Sequence, residues 1–202
     1  MLKRIVVLIL PLFLLAGYSL AQENAMKKTE GDKMAPEKNP IVKIQTNYGD
    51  IYLEVFQNET PIHAKNFLDK VDAGKYDSLT FHRVVKGFVI QGGDPTGTGA
   101  GSMGDERLPD EKSPFPEVTG TVAMARSNLG ASNCQFYINL KDNTKLDSMG
   151  FSSFAKVVRG MDVVNKIGNV ETMVKTGGNE KSTPVKPVYM YKLYRVESLP
   201  SE

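Results

Sequence analysis

Phe81-His82-Arg83-Val84-Val85-Lys86-Gly87-Phe88-Val89-Ile90-Gln91-Gly92-Gly93-Asp94 decides how this chain is read. Two short apolar runs, 81–85 and 88–91, are broken by Gly87 and closed by a glycine pair. The first run alternates as a strand does, and in a strand residues 81, 83 and 85 share one face. That reading sets Arg83 beside aromatic and aliphatic neighbours. An arginine on an apolar face is costly unless it is paired or working. A structural salt bridge is one explanation, and a functional guanidinium is the other.

Outward from this stretch the same periodicities continue. Val42, Ile44 and Thr46 alternate with Lys43 and Gln45, and Ile51, Leu53 and Val55 alternate with Tyr52 and Glu54. The turn residues Asn47 to Asp50 lie between them, which predicts a β-hairpin. Thr60-Pro61 reads as an N-cap followed by proline in a first helical turn. Ala64, Phe67, Leu68 and Val71 then fall on one helix face, with Gly74 as a stop. His63 is expected near the exposed side of that helix. Further strand-like runs cover 120–125, 134–140, 151–158 and 187–196, with a second short helix near Met161 to Ile167. Many short strands and few helices predict an antiparallel barrel or sandwich.

The N-terminal part reads differently. Lys3 and Arg4 precede a greasy run, Ile5 to Ala16, and Ser19-Leu20-Ala21 ends it with small residues. That layout is a secretory signal peptide over 1–21, cleaved after Ala21; an uncleaved anchor is the alternative, for which the run is short. Tyr18 stands where a lipoprotein signal needs cysteine. Residues 22–39 read as a flexible linker, too polar to offset ordering entropy by burial. The folded domain is expected over 40–197, with a short tail over 198–202. Losing Lys3 and Arg4 takes the formal charge from +2 to zero. A neutral mature chain argues against nucleic acid or an anionic membrane surface as the main partner. Cys134 is the only cysteine, so no internal disulfide, thiolate cluster or redox pair is available.

Two further segments, Gly120 to Arg126 and Ser132 to Asn139, read singly as strands with core aromatics. Together with Phe81–Asp94 they resemble the cyclophilin family, from about Val42 to Val196. Lys65-Asn66-Phe67-Leu68, the loop Gly92 to Gly99 and Met161-Asp162-Val163-Val164 join the resemblance in order and spacing. It implies a mainly β fold, a closed eight-stranded antiparallel β-barrel capped by two α-helices. It implies a peptidyl-prolyl cis/trans isomerase whose site is a groove on the outside of the barrel. Arg83, Phe88 and Gln91 take the catalytic places. His82, Val89, Ala125, Arg126, Gln135, Tyr137, Leu146 and Phe151 take places around the substrate. The expected partners are proline-containing polypeptides, met by a monomer exported to a periplasm or secreted.

The chemistry suits such residues. Amide delocalisation resists rotation by ~18–20 kcal/mol, and X-Pro exchange takes roughly tens to hundreds of seconds unaided. No bond breaks, so neither metal nor cofactor is called for. A guanidinium donates hydrogen bonds without losing its charge and can favour the twisted amide. Lys145 and Phe151 depart from the family pattern: Lys145 stands where many relatives carry an aromatic that helps hold the cyclic peptide ciclosporin. Weak ciclosporin binding is the expectation. Gly99-Ala100-Gly101-Ser102-Met103-Gly104 matches a dinucleotide fingerprint, but a Pro- and Gly-rich loop precedes it and no helix opens after it. A proline-recognising binding or chaperone module with weak catalysis is the alternative function. A structural barrel without ligand is disfavoured by Arg83, Phe88 and Gln91 occurring together.

Overall fold

The computed structural model describes residues 38–175 and 178–200. The expected leader over 1–21 and the linker as far as residue 37 lie outside these, as does the end of the tail.

The first hairpin forms as its alternation predicts. β1 (Ile41–Thr46) and β2 (Gly49–Val55) pair antiparallel, with Thr46 opposite Gly49 across a two-residue turn. Gly49 sits at φ 127°, a conformation side-chain-bearing residues rarely adopt. Val42, Ile44, Ile51, Leu53 and Val55 face inward and are fully buried.

The helix α1 (Pro61–Asp72) buries His63, Ala64, Phe67, Leu68 and Val71. Its start is capped otherwise than expected. The Thr60 hydroxyl donates to the Phe56 carbonyl instead of accepting from the helix. The Glu111 carboxylate, 48 residues away from His63, takes the orphan N–H groups of Ile62 and His63 at 2.9 and 2.8 Å. A carboxylate is favoured there by the helix dipole. The same loop buries His63, whose Nε2 lies 3.1 Å from the Pro109 carbonyl. The expectation of an exposed His63 fails because local periodicity cannot register a distant loop. Gly74, at φ 63°, ends the helix as expected.

The remaining strands are β3 (Leu79–Thr80), β4 (Arg83–Val85), β5 (Val89–Gly92), β6 (Thr121–Ser127), β7 (Gly130–Asn139) and β8 (Ser153–Arg159), then β9 (Thr172–Val174), β10 (Lys181–Pro184) and β11 (Tyr189–Val196). The main sheet runs β3-β11-β1-β2-β8-β6-β7-β5-β4, and β9 pairs with β10 separately. Each pairing is antiparallel. A 3-10 helix (Thr144–Met149) and α2 (Met161–Gly168) complete the elements.

The fold is mainly β with two helices, but the closed eight-stranded barrel is corrected. The sheet has nine strands, and its two ends, β3 and β4, share no ladder. Those ends belong to one stretch of chain. Leu79–Thr80 pairs with β11, Arg83–Val85 pairs with β5, and Phe81-His82 between them joins neither ladder. Phe81 and Val84 both point to the core, at 0% and 1% exposure. Inward residues three apart cannot sit on one regular strand. Phe81 and Arg83 therefore do not share a face, and the interruption turns Arg83 outward.

Inside the curled sheet, Phe67, Tyr76, Phe136 and Phe154 are fully buried, with Phe67 5.1–5.4 Å from the other three ring centroids. Burying each such side chain stabilises the fold by about 1.5–3 kcal/mol. A second apolar cluster of Val89, Ala123 and Tyr137 lies apart, with Phe88, Ala125, Leu146 and Phe151 packed on it. β7 feeds both clusters. Phe136 and Ile138 enter the main core, while Tyr137 between them enters the second.

Candidate active site

That second cluster forms the floor of a groove on the outer side of the sheet. Register explains its composition. Arg83 pairs with Gln91, Gln91 with Tyr137, and Tyr137 with Ala123, one cross-strand row over β4, β5, β7 and β6. Directly opposed residues in antiparallel strands project to the same side. The groove has a volume of about 410 Å³ and is lined by Arg83, Phe88, Val89, Gln91, Ala125, Arg126, Tyr137, Leu146, Met149 and Phe151. A larger hollow of about 590 Å³ adjoins it beyond Phe151, over residues 110–116. It lacks Arg83 and Gln91, and Phe151 is the residue its lining shares with the groove.

One end of the groove is polar. Arg83 Nη1 donates to Gln91 Oε1 at 3.1 Å, and its guanidinium carbon stands 6.0 Å from the centre of the Phe88 ring. Gln91 Nε2 donates to Gln135 Oε1 at 3.0 Å. Gln135 Nε2 donates in turn to the Gly99 and Gly101 carbonyls, at 3.1 and 3.0 Å. The loop that receives these bonds is pinned by Asp94, whose carboxylate accepts from the backbone N–H groups of Thr96, Gly99 and Gly101. Burial pushes the Asp94 pKa up, and those backbone donors outweigh it, leaving the carboxyl below its usual range. The glycine-rich run 99–104 is thus a loop that anchors Gln135.

The other end is apolar. The Phe151 ring meets Tyr137 edge-on at 5.9 Å. Below the floor, the Tyr137 hydroxyl donates to Glu117 Oε2 at 2.9 Å. Glu117 is fully buried and also accepts from Asn139 Nδ2 at 2.7 Å and from the Ser153 hydroxyl at 2.9 Å. Burial nevertheless holds its pKa above the usual carboxylate value. Asn143 ties the 3-10 helix to the floor by donating to the Phe88 carbonyl at 3.1 Å.

A match to the family described as cyclophilin type peptidyl-prolyl cis-trans isomerase/CLD covers residues 41–195. The chain belongs to the cyclophilin-type peptidyl-prolyl cis-trans isomerases. A peptidyl-prolyl cis-trans isomerase of Acinetobacter baylyi is 38% identical over 156 residues, 74% of this chain and 82% of that protein. The human peptidyl-prolyl cis-trans isomerase-like 1 is 36% identical over 159 residues, 77% of this chain and 92% of that protein. Among solved structures, a Cryptosporidium parvum cyclophilin-type isomerase in the presence of the dipeptide Ala-Pro superposes with a TM-score of 0.68 at 29% identity. It covers 78% of this chain and 99% of that one.

Within this cyclophilin the expected site residues divide in two. Arg83, Phe88, Val89, Gln91, Ala125, Arg126, Tyr137, Leu146 and Phe151 are brought together on the groove. Gln135 stands behind Gln91, and His82 lies off the groove against the Gly99 loop. Neither ring nitrogen of His82 has a hydrogen-bond partner among the described residues, and burial lowers its pKa. Arg126 is also engaged: Nη1 and Nη2 donate to the Asp110 carboxylate, and Nη1 reaches the Gly150 carbonyl at 3.4 Å. Sequence reasoning missed Met149, 61% exposed at the groove rim. It also missed Glu117 beneath the floor and Glu180 beside Arg83. The paired Tyr137 and Glu117 lie 20 residues apart, and no local pattern links them.

Proposed function

We propose that Arg83 accelerates rotation about X-Pro bonds by donating hydrogen bonds to the substrate amide as it twists. The observation that carries this reading is the Arg83 guanidinium at one end of a groove floored by Val89, Tyr137 and Phe151, with Gln91 holding one side of it. The prolyl ring would lie on Val89, Tyr137, Leu146 and Phe151. Ala125, Arg126 and Gln91 would hold the neighbouring backbone. Twisting localises the nitrogen lone pair, and a permanently charged donor stabilises that state without proton transfer. One well-placed donor supplies about 3–4 kcal/mol, or roughly 10²–10³ in rate. An acceleration of ~10⁵ needs about 7 kcal/mol, so orientation in the groove must supply the rest.

The polypeptide substrates would be exported proteins, met outside the cytoplasm by a monomeric enzyme after cleavage at Ala21. That reading rests on the leader-like run at 1–21. The test of the mechanism is the cis-to-trans conversion of an Ala-Pro peptide. Arg83→Ala is expected to lose roughly 10²–10³ in kcat/KM. No rate above background for the unaltered protein would leave only a proline-recognising module. An Arg83→Ala variant as fast as the unaltered protein would remove Arg83 from the mechanism.

A further inference from the structure

Arg83 is held from two sides, and one of them comes from outside the main sheet. Nε and Nη2 donate to the two carboxylate oxygens of Glu180, both at 2.7 Å, while Nη1 donates to Gln91. Glu180 immediately precedes β10, the second strand of the β9–β10 hairpin, and β10 packs along β4. A second tie secures the hairpin, where Lys175 Nζ donates to the Thr98 carbonyl at 2.6 Å.

We infer that Glu180 is a positioning residue for the isomerase reaction, holding the Arg83 guanidinium in the plane that presents its free N–H groups to the groove. The inference rests on the role given to Arg83 above. A guanidinium has five N–H donors. Three are occupied by Glu180 and Gln91, which leaves two for a substrate carbonyl or amide. A side-on carboxylate pair fixes the guanidinium plane, because two parallel hydrogen bonds cannot both survive rotation about the terminal torsions. Gln91 alone holds one nitrogen and leaves that rotation open.

Glu180 also offsets the positive charge that favours the twisted amide, so the two effects oppose each other. Orientation wins, because the Glu180 side chain is 50% exposed and that of Arg83 29%. Solvent screens the Coulomb part of such a pair, whereas a misplaced donor loses rate steeply. The charged and polar groups facing Glu180 are the Arg83 guanidinium on β4 and the Ser182 hydroxyl on β10, and both hold its carboxyl below the usual range. It stays ionised at neutral pH.

The test combines single and double variants in the Ala-Pro peptide assay. Glu180→Gln keeps the shape but sets an amide N–H against a guanidinium N–H. It is expected to lower kcat on the order of tenfold, with KM and the urea midpoint little changed. Glu180→Asp keeps the carboxylate and should recover part of the loss. Adding Glu180→Gln to Arg83→Ala should change nothing further, because its effect runs through Arg83. An unchanged or faster Glu180→Gln enzyme overturns the inference, as does an equal loss in the Arg83→Ala background. An inactive unaltered protein would instead overturn the catalytic reading of the groove itself.

Discussion

Tyr137 shows how one hydroxyl serves the scaffold while its ring serves the groove. The ring lies on the groove floor against Phe151, and the hydroxyl reaches the other way to the buried Glu117. Hydrogen bonds to charged groups contribute about 1.5–3 kcal/mol, and an unsatisfied buried charge costs more. Tyr137→Phe keeps the ring and removes one of the donors to Glu117. We expect it to lower unfolding stability by about 1.5–3 kcal/mol in urea titration while leaving most of the isomerase rate. A midpoint equal to that of the unaltered protein would show that Glu117 does not depend on this bond. At this scale the sequence was informative about residue type and silent about partners. Arg83 stood out from its own stretch, its face was misread there, and of the two explanations weighed for it the salt bridge is present. It lines the groove, and it also makes a salt bridge, to a carboxylate 97 residues away. Such pairings are set by tertiary contact, which periodicity does not encode.

The 3-10 helix brings Leu146 and Met149 to the groove. It was not foreseen, because Thr144–Met149 is short and has no buried residue to set a period. Its C-terminus is closed by Gly150 at φ 81°, and Phe151 N–H returns to the Leu146 carbonyl at 3.2 Å. That closure turns Leu146, Met149 and Phe151 toward the groove, while Lys145 is exposed and off its lining. Ciclosporin should therefore bind weakly, since a solvated ammonium offers no ring face to a largely apolar cyclic peptide. Inhibition of the purified enzyme by ciclosporin in the nanomolar range would refute this. The hairpin β1–β2 and the helix α1 were the most legible elements, because strong alternation and a clean apolar face left few competing patterns. The β9–β10 hairpin was missed because Thr172–Val174 and Lys181–Pro184 are short, and all but Ser182 and Pro184 are at least partly exposed. The bend at Phe81-His82 was read as continuous strand although the adjacent polar pair His82-Arg83 and the apolar pair Val84-Val85 break the alternation there.

At the scale of the molecule, the carboxylates pull stability in opposite directions with pH. Asp94, Asp110, Asp142, Asp162, Glu54 and Glu180 are held below their usual values. Each contributes stability present above its unfolded pKa and lost as pH falls through the folded one. Glu117 runs the other way, because burial raises its pKa above 4.5. Its contribution is full below the unfolded value and lost as pH rises through the folded one. Tyr137, Asn139 and Ser153 face it as donors, and Asp147 adds a like charge nearby. Glu117→Gln should therefore flatten the decline in urea midpoint above about pH 4.5, while leaving the acid limb below it. Parallel midpoints for the two proteins from about pH 4 to about pH 8 would show that Glu117 is not the group responsible.

The outward-facing row Arg83–Gln91–Tyr137–Ala123 has a consequence for traffic. A site sunk inside a barrel admits only what can be threaded to it, so it favours chain ends. A site laid along an outer wall can be approached sideways, and a long polypeptide can rest on it at any point along its length. The solid aromatic interior then has no need to open during a catalytic cycle. On the mechanism proposed above, turnover would proceed by touch and release at successive prolines of one chain, without either molecule unfolding the other.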